Sequence, residues 1–316
     1  MAIVNADFLS DLLTTNQRMF VNDYDASLGV QGWMEFTSQM NSSGKSERYA
    51  WLGSAPTMQD VTHGQVQFGA VRPYNYTLDN LEYQGGFEVS RAALEDDDLQ
   101  QIPPRISDLA NEAAAFPGRQ ILQLFEGTAT CYDGKTFFND AHSEGDSGTI
   151  DNNITVTVTS TSAPTSADVN AIVSSASTQM RAFKDDNGRI LNRTPDLWVC
   201  PPALAQYVWG ALSAGSLPST NAPPMPPSQT GIVNAGPWKL FVNPYLTSST
   251  VLYGLRTMGS VKPFIYQTRL APSLESITNP NTDAGIMRRK FPYTVRSRHA
   301  VGYGDFRDAI KVTIST

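Results

Sequence analysis

Hydrophobic positions recur along the chain with two periods. At helical spacing, Phe8, Leu9, Leu12, Leu13 and Phe20 share one face. This predicts an amphipathic helix from Ala6 to about Asn22, with Asn5 as its cap. A short helix cannot bury such a face alone, so it needs another domain or another subunit. Ile106, Leu109, Ala113, Phe116, Gln120 and Leu124 recur every three or four residues and predict a helix over Pro103–Glu126, about 36 Å long. Pro103 and Pro104 stand in its first turn, where proline is tolerated. Pro117 lies inside it, where proline costs about 3 kcal/mol and bends or breaks a helix. Either the helix breaks at Phe116 or it bends; the stripe continues in phase past the proline, which favours one bent helix. A third helix starts at Ser166, read as its cap, and carries Val169, Ile172, Val173, Ala176, Met180 and Phe183 on one face. A short fourth helix follows Pro201-Pro202 and runs to about Leu212.

Alternating positions mark strands. Val66, Phe68 and Ala70 alternate with polar residues, as do Tyr74, Tyr76 and Leu78, and Gly85-Gly86 permits a kink or bulge before Phe87. The region reads as an extended hairpin of about 40 residues, too poor in apolar residues to be a domain. Ile154–Val158, Leu197–Cys200, Trp238–Val242, Val251–Leu255, Lys262–Gln267 and the tail from Phe291 to Ile314 are further strands. Residues 23–48, 141–165 apart from the strand Ile154–Val158, and the proline-rich 214–230 read as irregular, the last as a mobile loop. Strand–helix alternation over 166–258 predicts a separate α/β lobe.

At 316 residues the chain can bury a good core, and about two domains are expected. Charged residues are only 17%, low for a freely soluble monomer and suited to a subunit that hides surface against neighbours. The net charge is −7, with no basic stripe of the kind polyanion binders carry. Arg288-Arg289-Lys290 is the one basic triplet and reads as a solvated or interface patch. Two cysteines, Cys131 and Cys200, make neither a disulfide framework nor a metal pattern. The start of the sequence lacks a signal-peptide pattern, and no apolar run approaches a membrane span.

Candidate chemistry is sparse. Gly145-Asp-Ser-Gly148 resembles the nucleophile segment of trypsin-like proteases, and His63, Asp97 and Ser147 follow in that order. Those enzymes are double β-barrels, whereas here a long helix separates the acid from the serine, so a serine hydrolase using Ser147 stays a remote alternative. Glu95-Asp-Asp-Asp98 lacks the glycine-hinged spacing of a calcium loop and reads as a solvated acidic turn. His63, His142 and His299 are scattered, and no phosphate-binding glycine loop is present. No catalytic, cofactor or metal residue is expected.

Three segments carry a family resemblance: Tyr49-Ala-Trp-Leu-Gly-Ser-Ala-Pro-Thr57; Phe87-Glu-Val-Ser-Arg91 with Leu94-Glu-Asp-Asp-Asp-Leu99; and Cys131-Tyr-Asp-Gly-Lys-Thr-Phe-Phe-Asn-Asp-Ala-His142. Together they resemble the major head subunit of Mu-like bacteriophages. The resemblance implies an α+β chain with the Hong Kong 97-like capsid fold. Its parts would be an N-terminal arm (1–46), an extended β-hairpin loop (47–88), a peripheral domain (89–165) with spine helix 103–126, an axial α/β domain (166–258), and a return to the peripheral domain (259–316). The expected function is a major capsid protein of a tailed phage, assembling as hexamers and pentamers into an icosahedral shell around double-stranded DNA. Phe8, Leu12, Trp51, Phe87, Phe116, Pro117 and Leu124 are the expected structural and assembly positions. Expected partners are further copies of the chain, a portal, a separate scaffolding protein (no pro-segment precedes the arm) and a decoration protein, with no membrane. Location would be the virion, after assembly in the host cytoplasm. Some relatives lock their shells with a Lys–Asn bond; residues 46–134 contain no lysine, so no such crosslink is expected from the extended loop. An encapsulin-like compartment shell is the alternative of the same fold.

Overall fold

The longest apolar stripe forms a helix in the computed structural model, which describes residues 6–52, 73–95, 102–214, 225–226, 231–235, 237–259, 261–282 and 284–316. After α1 (Ala6–Gly29) and a short α2 (Arg91–Glu95), helix α3 spans Ile102–Gln123 and ends in a tight turn, Leu124–Glu126. Pro117 sits inside α3 without ending it. The core-facing stripe is rotated slightly from the expected one. Ile102, Ile106, Ala110, Ala114, Gly118, Ile121 and Leu122 are buried, while Leu109, Ala113, Phe116, Gln120 and Leu124 flank them half-buried. Small residues at Ala110, Ala114 and Gly118 let other chain segments approach the helix axis closely.

Helix α1 finds its partner within the chain. It packs along α3, burying Leu9 and Phe20 in a cluster with Ile106, Leu274, Phe291 and Tyr293. It runs past Asn22 because Tyr24, stacked on Phe20 at 6.0 Å, and Leu28 continue its inner face. The expected irregular stretch 23–48 is therefore corrected. It contains the end of α1, a turn Gly32–Phe36, β1 (Thr37–Asn41) and the start of β2 (Ser46–Leu52).

Strand β1 is the parallel edge of a four-stranded sheet ordered β1-β12-β13-β4, with β4 Leu81–Ser90, β12 Phe264–Ser276 and β13 Lys290–Tyr303. The sequence placed 81–88 in the extended hairpin. Instead β4 pairs with β13 in unbroken register from Leu81↔His299 to Ser90↔Lys290, so Gly85-Gly86 makes no bulge. Gly86 is needed for closeness: a Cβ there would lie 2.3 Å from the Tyr293 carbonyl oxygen. The irregularities fall in β12, between Thr268 and Leu270 and between Leu270 and Ser273. The hairpin itself is β2 paired with β3 (Pro73–Asp79), a separate two-stranded sheet. The predicted strand at Val66–Ala70 and the acidic turn at 96–98 lie outside the described residues, as does Asn5.

A six-stranded sheet has the order β7-β14-β11-β8-β10-β9. Its strands are β7 Asn153–Thr157, β8 Leu197–Cys200, β9 Ile232–Ala235, β10 Trp238–Val242, β11 Val251–Leu255 and β14 Ala309–Ser315. Helices α4 (Ser166–Ala182) and α5 (Ala205–Ala214) pack on it. Two of these strands, β7 and β14, come from outside 166–258, so that span is not a self-contained lobe. The tail strand β14, expected to return to the other layer, is held between β7 and β11. The cap of α4 is Thr165, one residue before the predicted Ser166. Thr165 and Asp168 satisfy each other's backbone N–H groups in a capping box. One continuous apolar core runs from this sheet through Phe125 of the α3 end to Phe264 and Tyr303 of the four-stranded sheet.

Candidate functional site

The seven expected positions fall into separate places. Phe8, Leu12 and Phe87 meet around the α1–α3 cluster; Phe87 stacks on Tyr293 at 5.4 Å, and the Arg105 guanidinium lies over its ring, 6.0 Å from the centroid. Phe116 lies against Tyr83 at 4.9 Å and lines a cleft of about 200 Å³ with Leu109, Ala113 and Val295. Pro117 is buried on α3. Leu124 packs on the larger core, and its carbonyl accepts from Tyr303 Oη at 3.0 Å. Trp51 pairs with Tyr74 across the hairpin; its side chain lies outside the described residues. These apolar side chains are largely committed to the chain's own packing.

The most organised polar site follows α3. The loop folds back so that Cys131, Asp133 and His142 bring their ligand atoms within 4.8 Å of one another. The Cys131 thiol donates to Asp133 Oδ1 at 2.8 Å, and His142 Nδ1 meets Asp133 Oδ2 at 2.5 Å. His142 Nε2 faces the Phe137 carbonyl at 3.2 Å, and the ring stacks on Phe306 at 4.0 Å. Both ring nitrogens thus face oxygen acceptors. Burial raises the Asp133 carboxyl, but hydrogen bonds from His142 and Cys131 outweigh it and hold it below its ordinary range. Burial and then Asp133 push the Cys131 thiol well up, so it stays protonated. Each donor already has its acceptor, and the set works as a hydrogen-bonded clasp rather than a prepared metal site.

A second network ties three segments together. Arg193 Nη1 reaches Asp305 Oδ2 at 2.9 Å and Asp308 Oδ1 at 3.0 Å, and Arg256 Nη1 reaches Asp308 Oδ1 at 3.1 Å. Arg307 bridges Asp305 at 2.8 Å and Glu144 at 3.0 Å, and Tyr132 donates to Glu144 at 3.1 Å. Three guanidinium groups balance three buried carboxylates, which is what burial of charge demands. Burial opposes ionisation of Asp305, but Arg307 and Arg193 hold its carboxyl well down. Asp308 goes the other way, raised by burial and then by Asp305. Sequence reading missed both networks. Cys131, Asp133 and His142 all lie inside the third resemblance segment and could have been flagged; the charged members of the second network lie far apart in the chain and could not.

The hydrolase alternative gains no geometry. Ser147 is buried, its hydroxyl donating to the Gly148 carbonyl and accepting from the Glu144 N–H; His63 and Asp97 lie outside the described residues. Cys200 is fully buried, and burial pushes its thiol up to about 12, so neither cysteine is an activated nucleophile. Among the described residues, no helix is long and apolar enough to cross a membrane.

The site is therefore one of structural clasps between layers, and the layers are those of a known shell architecture. The procapsid subunit of bacteriophage JBD30 superposes with a TM-score of 0.54 at 18% identity, covering 97% of this chain and 76% of that one. The fold is the α+β Hong Kong 97-like capsid fold. In sequence, the profile of the Mu-like prophage major head subunit gpT matches residues 9–168 and 233–313. The chain belongs to that family. A Mu-like prophage FluMu major head subunit of Haemophilus influenzae is 25% identical over 278 residues, covering 86% of this chain and 63% of that protein. The major capsid protein of Escherichia phage Mu is 32% identical over 105 residues, 33% of this chain and 34% of that protein. The chain thus spans less than two thirds of the length of either curated relative.

Proposed function

We propose that the chain is the major capsid protein of a tailed phage or prophage head, assembling as hexamers and pentamers into an icosahedral shell around double-stranded DNA. The observation that carries this reading is the family match, which runs through both main sheets and is broken only over 169–232, the stretch holding most of α4 with β8 and α5. In this reading the chain before β1 is the arm, since β1 belongs to the peripheral sheet, α3 is the spine of the peripheral domain, and the six-stranded sheet with α4 and α5 is the axial domain. The extended loop is the β2–β3 hairpin, ending at Asp79 because β4 belongs to the peripheral sheet. It is a ladder of its own, resting on the four-stranded sheet through Tyr49, Tyr76 and Leu78; in this reading it overlaps a neighbouring subunit, and many weak overlaps add up by multivalency. Portal, scaffolding and decoration proteins would be its partners. The role is mechanical rather than enzymatic, in the virion after assembly in the host cytoplasm. Electron microscopy of the purified protein tests it. Regular shells or tubes are expected, with nuclease-protected DNA in particles made with the packaging partners; dispersed monomers under all conditions would refute it.

A further inference from the structure

The far end of the four-stranded sheet carries a cluster that the shell reading leaves unassigned. Where β4 finishes and β13 begins, Arg91, Arg288, Arg289 and Lys290 line one cleft of about 650 Å³ with Ser90 and Ile286. The backbone there is fixed: the Arg91 N–H donates to the Arg289 carbonyl at 2.8 Å. Arg289 itself sits at φ 50, a left-handed conformation uncommon for a side chain of its size. Lys290 pairs with Glu88 at 2.7 Å. Beside the cations, on the turn Ala284–Arg288, Ile286 is 54% and Met287 76% exposed. This is a basic tip with an apolar knob on a chain whose net charge is −7.

We propose that this tip docks onto an acidic face of a second copy of the chain; the proposal rests on the shell reading. Two arguments select that partner. A nucleic-acid backbone is held by cations and polar donors alone, whereas protein–protein contacts are enriched in both Met and Arg relative to the rest of the surface. The rest of the chain is acidic, so a second copy offers the complementary sign; the outer face of α1, with exposed Asp7, Asp11 and Asp25 against Arg18, is one such surface. A tip-to-tip contact would set cations against cations. The contact is therefore heterologous, tip to a different surface, the kind that generates rings or extended arrays rather than closed pairs.

The test is the sedimenting fraction and electron microscopy of wild type, Arg288→Glu/Arg289→Glu and Arg288→Lys/Arg289→Lys, with far-ultraviolet dichroism and melting to confirm that each subunit folds. Wild type and the lysine variant should form shells. The glutamate variant should stay folded but dispersed, its sedimenting fraction lower by roughly tenfold or more, since a small loss per contact multiplies over a shell. A glutamate variant that assembles like wild type overturns the proposal. So does one that assembles normally but retains less DNA, which would make the tip a phosphate contact. A wild-type protein that forms no shells overturns the shell reading, and this contact with it.

Discussion

The indole of Trp33 occupies the space that a side chain at Gly118 would need: a Cβ built there would lie 2.5 Å from Trp33 Cδ1. Gly118 follows Pro117 in the middle of α3, and Trp33 stands in the turn between α1 and β1. The contact fastens the segment after α1 to the spine helix beside its internal proline, Pro117. Gly118→Ala gains about 1 kcal/mol of helix propensity but overpacks the site by about 1–3 kcal/mol. Net destabilisation of up to about 2 kcal/mol in urea unfolding is expected, relieved by a second change, Trp33→Leu. A stabilised single variant would show that the indole moves aside freely.

Pro117→Ala restores a backbone donor inside α3 and should stabilise the isolated helix by up to about 3 kcal/mol. The proposal that the spine sets the curvature a subunit presents predicts a change in particle diameter or yield. Particles of unchanged diameter and yield would refute this link.

His299 gives the fold an acid sensitivity. The ring is buried between Tyr83 at 4.5 Å and Phe116 at 5.9 Å, with Nε2 2.8 Å from Gln120 Oε1. Burial pushes it down to about 4, whereas the unfolded chain takes up that proton near pH ~6.5. Between those values the unfolded state binds more protons, so this contribution to stability is full above the window and falls as pH falls. Roughly 2 kcal/mol should be lost between pH 6.5 and 5. His299→Phe should flatten that part of the stability–pH curve; an unchanged slope would show that another group sets it.

The Asp133–His142 pair is buried on both sides. His142→Ala leaves a carboxylate without its main partner and should cost about 3–5 kcal/mol, visible as lost soluble expression or a much lower melting temperature. A chelator should leave the wild-type melting temperature unchanged, because the donors already satisfy one another. A chelator-induced drop would mean that Cys131, Asp133 and His142 hold a metal.

Denaturing electrophoresis of mature particles should show a single monomer band, because the 46–134 span has no lysine to form an isopeptide bond. A ladder of covalent oligomers would contradict this.

The elements with strong local patterns were legible in the sequence. The stripe through Ile106 and Leu124 announced α3, and Val169 to Met180 announced α4, because an amphipathic period is written locally. What could not be read depends on distant partners. Thr37-Ser-Gln-Met-Asn41 has no strand-like alternation, yet it is a strand because β12 supplies a parallel edge. Gly85-Gly86 looked like a bulge because glycine signals backbone freedom; here the need is closeness to Tyr293. At the candidate site, Ser147 was visible as a motif and proved to be a turn residue. Arg193, Arg256 and Arg307 were invisible as a set, since only the folded chain brings them to Asp305 and Asp308.

The placement of β14 gives the fold a timing. Ala309–Ser315 lies between β7 and β11, joining two strands that are not paired with each other. On the ribosome, β7 and β11 emerge first and wait; the six-stranded layer cannot close until this late segment leaves the exit tunnel. A chain interrupted before it would leave β7 without a partner and β11 with an open edge.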